Sequence, residues 1–152
     1  MSPGSRSGPT RSACPEEVLF VEIQRTADRL ARRPAQLLRQ HRLSPTQYNA
    51  LRILRGAPQG LLCGEIAARM ITREPDITRL LDRLEKRGLV ARCRQDADRR
   101  RVLTRATPEG LRLLSLLDQP ICALHRRQLG HLEAKQLSLL SRLLETCRGH
   151  LP

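Results

Sequence analysis

The chain has 152 residues, the size of one domain, and its 28 Lys and Arg against 15 Asp and Glu give a formal net charge of +13. So large an excess points to a polyanionic partner. With one Phe, one Tyr and no Trp there is no aromatic platform for unpaired bases, so RNA is not expected and double-stranded DNA is the favoured polyanion. No apolar run reaches the length of a membrane span, and the first residues lack the apolar core of a signal peptide. No membrane partner is expected, and the predicted location is cytoplasmic.

Taken in order, residues 1–14 are rich in Ser, Gly, Pro and Arg, the composition of a disordered tail. A helical pattern starts near Glu16, with Leu19, Ile23, Ala27 and Leu30 in one stripe, Val18 and Phe20 beside it, and Pro34 expected to kink or interrupt it. A second helix opens at RLSPTQYNALRIL: Ser44 is the predicted N-cap, Pro45 the first helical residue and Gln47 the partner in a capping box, with Leu43 and Tyr48 as a hydrophobic staple. Leu61 and Leu62 suit a short strand. CGEIAARM then reads as a short helix facing inward through Ile66, Ala67 and Met70.

In REPDITRLLDRLEKRG, Ile77, Leu80, Leu81 and Leu84 recur at helical spacing and leave Arg79, Asp82 and Lys86 pointing away. Pro75 fits the first turn, Thr72 or Glu74 the cap, and Gly88 the position just past the end. Leu89–Arg94 and Val102–Thr107 follow as strands of a hairpin whose loop, QDADRRR, is too polar to bury. Between Arg79 and Arg105 ten basic residues stand against four acidic ones, so the positive charge concentrates on this helix and hairpin. Taken alone, such a loop is a solvated surface; behind a helix-turn-helix its guanidinium groups suit phosphates or a narrow minor groove. TPEG, with Thr107 as N-cap and Pro108 next, starts a long helix with a bend expected at Pro120, and a Leu-rich last helix follows Gly130.

The fold class expected is therefore mainly α with a small β wing: a winged helix-turn-helix lobe plus N- and C-terminal dimerisation helices. The expected division is a tail over 1–14, a dimerisation helix over 15–43, the DNA-binding lobe over 44–107 and dimerisation helices over 108–149. The terminal helices carry apolar faces with nothing left in the chain to cover them, which predicts a homodimer and an inverted-repeat site; packing on their own lobe as a monomer is the alternative.

SPTQYNAL, TRLLDRLEKRGLV, the Asp98-x-Arg100 pair and T-P-E-G together resemble the MarR (multiple-antibiotic-resistance regulator) family of bacterial transcription factors, over residues 16 to 148. The resemblance implies a winged-helix homodimer, usually a repressor, with the helix from Pro75 in the major groove and a wing arginine in the minor groove. Pro75, Asp76, Thr78 and Arg79 would lie at the groove-facing start, with Arg83 further along. Arg100, flanked by Arg99 and Arg101, would be the wing tip, and Asp98 the carboxylate orienting it. For Asp76 two readings stand: acceptor from a cytosine amino group, or first-turn carboxylate favoured by the helix dipole. Arg83, Lys86 and Arg87 either touch phosphates or pair with Asp82 and Glu85 on their own helix.

Many relatives of this kind respond to a small-molecule effector or to cysteine oxidation. Cys14 precedes the first helix near where the peroxide-sensing branch carries its thiol, so it is the redox candidate, although that branch's supporting tyrosines are missing from the first helix. Cys63 and Cys93 read as packing residues. Cys122 with His125, and Cys147 with His150, have i,i+3 spacing but no further ligand in sequence, and packing is the stronger account. No metal or other cofactor is expected, and no phosphate loop, HExxH or nucleophile elbow suggests an enzyme. Beside a sequence-specific regulator stand two alternatives: a metal- or redox-responsive version of the same fold, and a nucleoid-type protein that binds DNA without sequence preference.

Overall fold

The structure, a computed structural model, describes residues 14–94 and 102–151. Its elements are α1 (Pro15–Gln40), α2 (Pro45–Arg55), β1 (Leu61–Leu62), α3 (Cys63–Arg69), α4 (Ile77–Lys86), β2 (Val90–Arg94), β3 (Val102–Ala106), α5 (Pro108–Leu129) and α6 (Ala134–Gly149). This is the mainly helical class with a small β wing that the sequence implies. The strands form one antiparallel sheet in the order β1-β3-β2, with Leu62 opposite Leu103 and Cys93 opposite the other side of the same residue.

Two compact units divide the chain, Met1–Arg32 and Arg33–Pro152. In the first, the described segment is the opening of α1, whose Val18, Leu19 and Phe20 are more than half exposed. The second holds the core. Leu38 and Leu43 join Ala50, Leu51 and Leu54 of α2, Ile66 of α3, Leu80, Leu81 and Leu84 of α4, and Leu114, Leu117 and Ile121 of α5. The inward stripe expected for α4 is therefore the one buried, with Ile77 partly so.

Helix ends explain much of this layout. At Ser44 the predicted capping box forms in full: the Gln47 amide donates to Ser44 Oγ at 3.1 Å and the Ser44 amide donates to Gln47 Oε1 at 3.0 Å. Pro34 does not interrupt α1. A proline removes one amide donor, while burial of Leu38 holds the turn beyond it. That helix closes with the Leu43 amide donating to Leu38 O and the Arg42 amide to Arg39 O, which places Arg42 at φ 54. The two bonds are those of a Schellman motif, with Arg42 where glycine is usual. α5 likewise runs unbroken through Pro120.

The start of α4 differs from expectation. It opens at Ile77, not Pro75, and neither Thr72 nor Glu74 caps it; Asp76 does, its Oδ1 accepting from the Arg79 amide at 2.9 Å. A cap side chain accepts from an amide two or three residues on, and with the helix opening at Ile77 that position falls to Asp76, not to Thr72 or Glu74.

Candidate nucleic-acid interface

At about 100° per residue α4 presents three faces. Ile77, Leu80, Leu81 and Leu84 go to the core. Thr78, Asp82 and Glu85 share a second face, and Arg79, Arg83 and Lys86 a third. The helix ends in a regular Schellman motif, with the Gly88 amide donating to Glu85 O at 2.8 Å, the Leu89 amide to Leu84 O at 3.0 Å, and Gly88 at φ 68. Both ends are thus chemically fixed. Among the described residues, no side-chain hydrogen bond or ion pair engages Arg79, Arg83 or Lys86. These three cations are displayed to solvent by a helix whose other sides are held.

The second face is occupied by Arg92 of β2. Its Nη1 lies 2.6 Å from Asp82 Oδ1 and 3.5 Å from Glu85 Oε2, its Nη2 donates to Thr78 O at 3.3 Å, and its amide donates to Glu85 Oε1 at 3.2 Å. Asp82 and Glu85 therefore pair across to the wing, and not with Arg83, Lys86 or Arg87 on their own helix. A guanidinium reaching from a strand sets one nitrogen, Nη1, against both carboxylates and leaves Nη2 for the Thr78 carbonyl. Arg87 is engaged elsewhere too. It donates through Nη1 to Arg42 O and through Nη2 to His41 O, the latter at 3.1 Å, and so ties the end of α4 to the turn between α1 and α2. The expectation that Arg87 meets a phosphate gives way to a structural role, because the carbonyls freed at the end of α1 need donors.

Beside the start of α4 lies a cleft of about 220 Å³ between α2 and α4, lined among others by Ser44, Thr46, Gln47, Arg79 and Arg83. Asp76 lines it as well, and Pro75, Asp76 and Thr78 are all exposed. Of the two readings of Asp76, its hydrogen bond to the Arg79 amide is the helix-start one. Thr78 Oγ1 lies 3.7 Å from Cys63 Sγ, on the flank turned to α3. Asp98, Arg99, Arg100 and Arg101 lie outside the described residues; the strands leading to them pair through Arg94 opposite Val102.

The five cysteines are free. Cys63 packs partly buried against the core, as expected. Cys93 does not: it is exposed near the outer end of β2, where the hairpin has left the core. Cys14 is exposed; the backbone amide of Glu16 itself, and after it the Cys14 side chain, hold the Glu16 carboxyl below its usual range. Among the described residues no three His, Cys, Asp or Glu side chains cluster as a metal site, and no helix is long and apolar enough to cross a membrane.

Sequence reading missed the roles of Arg92 and Arg87. Arg92 lies seven residues beyond Glu85 across a helix end, and Arg87 reaches back across 45 residues to Arg42. No local periodicity encodes either pairing.

A short helix, a turn, a capped second helix with a free cationic face, and a β-hairpin behind it define a winged helix-turn-helix protein, the class that docks on duplex DNA. The sequence pattern of the MarR family matches residues 42–101. A MarR transcription factor from Planctomyces limnophilus, known from its crystal structure, is 42% identical with a TM-score of 0.67, covering 89% of this chain and 98% of that one. A mutant MarR from Escherichia coli complexed with operator DNA is 25% identical with a TM-score of 0.78, covering 93% of this chain and 100% of its own. The homoprotocatechuate degradative operon repressor of Escherichia coli is 28% identical over 109 residues, 72% of this chain and 73% of the repressor. The chain belongs to the MarR family and is a DNA-binding transcriptional regulator.

Proposed function

We propose that this protein is a homodimeric repressor that occupies an inverted-repeat operator, with α4 in the major groove and the wing in the minor groove. The observation that carries this reading is the unpaired row Arg79, Arg83 and Lys86 on a helix otherwise fixed. Free guanidinium groups form bidentate bonds to guanine edges or to phosphates, whereas paired ones would first have to break a bond. Arg79, in the first turn, is assigned a base edge, with Pro75, Asp76 and Thr78 around it; Arg83 is assigned a phosphate. Arg99, Arg100 and Arg101 are assigned to the minor groove, with Asp98 orienting them.

The experiment selects a duplex from a random library with the wild-type protein, then compares variants on that duplex. Arg79→Ala is expected to weaken binding by about 1–3 kcal/mol and to relax preference at one base position. Arg100→Ala should lower the slope of log affinity against log salt by about one. If both variants match wild type, or if the selected duplex binds no better than random DNA, the reading fails; the second result is that expected of a nucleoid-type binder.

Residues 15–43 and 108–149 are assigned to dimerisation and 44–107 to the DNA-reading lobe. Support for a second copy comes from apolar surface. No residue of α6 is buried, and Leu137, Leu139, Leu140 and Leu143 stand open, as do Val18, Leu19 and Phe20 on α1. Water contact at such faces is unfavourable by about 25 cal/mol per Å². Leu140→Asp is expected to shift the molecular mass measured by light scattering to that of one chain and to abolish tight operator binding; an unchanged dimer would remove α6 from the interface.

Release is assigned to a small-molecule effector, for which a crevice of about 450 Å³ lies between α2, α5 and α6. Tyr48, Ile121 and Leu137 give it apolar walls, and Arg52 and His125 add polar groups. Arg52 stands 5.8 Å from the Tyr48 ring centre. Burial pushes the Tyr48 hydroxyl above its usual range despite the opposing pull of Arg52.

A further inference from the structure

We infer that Arg92 is a positioning residue for DNA reading: by clamping Thr78, Asp82 and Glu85 from the wing strand, it fixes the roll of α4 and so the aim of Arg79 and Arg83. This rests on the proposal that α4 is the recognition helix. The geometry is specific. Thr78, Asp82 and Glu85 recur at i, i+4 and i+7, and one guanidinium with its own amide touches all of them. Their face lies about a third of a turn from the apolar face and a third from the Arg79, Arg83 and Lys86 face. Packing of Leu80, Leu81 and Leu84 sets how deep the helix sits. Their interdigitation in the core also sets the coarse roll of the helix, leaving small rotations to be fixed by contacts on its flank. On the flank, the Nη2 hydrogen bond to Thr78 O is directional, and the Nη1 ion pairs to Asp82 and Glu85 hold the helix at two further points.

A small roll matters. At the roughly 5–6 Å outer radius of a helix, a turn of about 10° moves a side-chain end by about 1 Å, enough to spoil a bidentate bond to a base edge. As contributors to stability the pairs are weak, since the Arg92 side chain is 26% exposed and those of Asp82 and Glu85 are 44% and 41% exposed. Their effect is expected on specificity.

Charge gives the test its sign. Asp82 is an acid beside a face that meets phosphates, so its removal should tighten binding if electrostatics alone acted. A clamp predicts the reverse. Asp82→Ala keeps a good helix former in place, and is expected to weaken binding to the duplex selected by the wild-type protein on the order of tenfold, the size of one lost base contact. Its affinity for a random-sequence duplex of equal length should be unchanged or slightly higher. Arg92→Gln should also lose affinity for the selected duplex, and the double variant should lose no more than about twofold beyond the worse single one, because both remove the same clamp. Asp82→Ala binding the selected duplex as well as or better than wild type overturns the proposal, as do additive losses. A parallel loss on both duplexes, the sign of a damaged fold, overturns it too. Arg79→Ala, run alongside, separates the two ideas: if it has no effect the recognition-helix assignment fails, and if it weakens binding while Asp82→Ala does not, only the clamp fails.

Discussion

Gly110→Ala is expected to destabilise the protein by about 2 kcal/mol or more, although alanine is the better helix former by about 1 kcal/mol. Gly110 lies in the first turn of α5, and a Cβ there would stand 2.2 Å from the carbonyl oxygen and 3.2 Å from the carbonyl carbon of Leu89. That carbonyl is not free to retreat. It accepts from the Thr107 amide at 3.1 Å, and the Leu89 amide closes the end of α4. Thr107 tightens the same junction, its hydroxyl donating to Gly88 O at 2.6 Å and accepting from the Gly110 amide at 3.1 Å. Relief therefore requires α5 to move outward, which loosens Leu114 and Leu117, both fully buried. Thermal melting should show a fall of roughly 4–10 °C at about 2–4 °C per kcal/mol. Gly64→Ala is the control. Nothing lies within 4 Å of its Cβ position, so there the propensity gain should appear as a small rise. A Gly110→Ala midpoint at or above that of wild type would mean the close approach of α5 to Leu89 is absent.

Leu84→Ala should cost about 2–5 kcal/mol, through lost burial plus the cavity left behind. Leu84 is fully buried and its carbonyl closes the Schellman end of α4 against Leu89. Its replacement keeps that backbone bond and empties space under α4. The melting midpoint is expected to fall by roughly 5–15 °C. On the exposed face of the same helix, Arg83→Ala should stay within about 0.5 kcal/mol of wild type in stability while weakening DNA binding. Comparable destabilisation by the two changes would contradict the assignment of buried and displayed faces on α4.

These two results and the roles of Arg87 and Arg92 concern one junction, where the end of α4, the start of β2 and the start of α5 meet. Arg87 ties it to the turn after α1, and Arg92 ties α4 to the wing. Thr107, the cap of α5, is bonded to Gly88 at the same junction, so the turn after α1 and the start of α5 are both tied to the end of α4. That is the physical connection an effector bound between α2 and α5 would need in order to alter DNA affinity.

Much of the fold was legible in the chain because it is set by near neighbours. The capping box at Ser44 and Gln47, the Thr107 cap, Gly88 past the end of α4, and the apolar spacing of Ile77, Leu80, Leu81 and Leu84 act within a few residues, and each appears in the structure. The cationic character of α4 and the hairpin was equally plain, since charge counts need no coordinates. Where local signals competed, the expected cap at Thr72 or Glu74 gave way to Asp76, whose carboxylate the Arg79 amide reaches. Cys93 failed as a packing residue because strand position alone does not say where a hairpin leaves the core.

What the sequence by itself determined is the set of elements, the caps at Ser44 and Thr107 and the positive sign of the outer face of α4, for these follow from short-range sterics, hydrogen bonding and charge. Only the tertiary structure decided which arginines are available. Arg79 and Arg83 are displayed while Arg87 and Arg92 are engaged, because a guanidinium's partners are chosen by whatever carbonyl or carboxylate folding brings within reach. The need for glycine at position 110 arose the same way, from a backbone oxygen 21 residues earlier in the chain that only packing sets beside it.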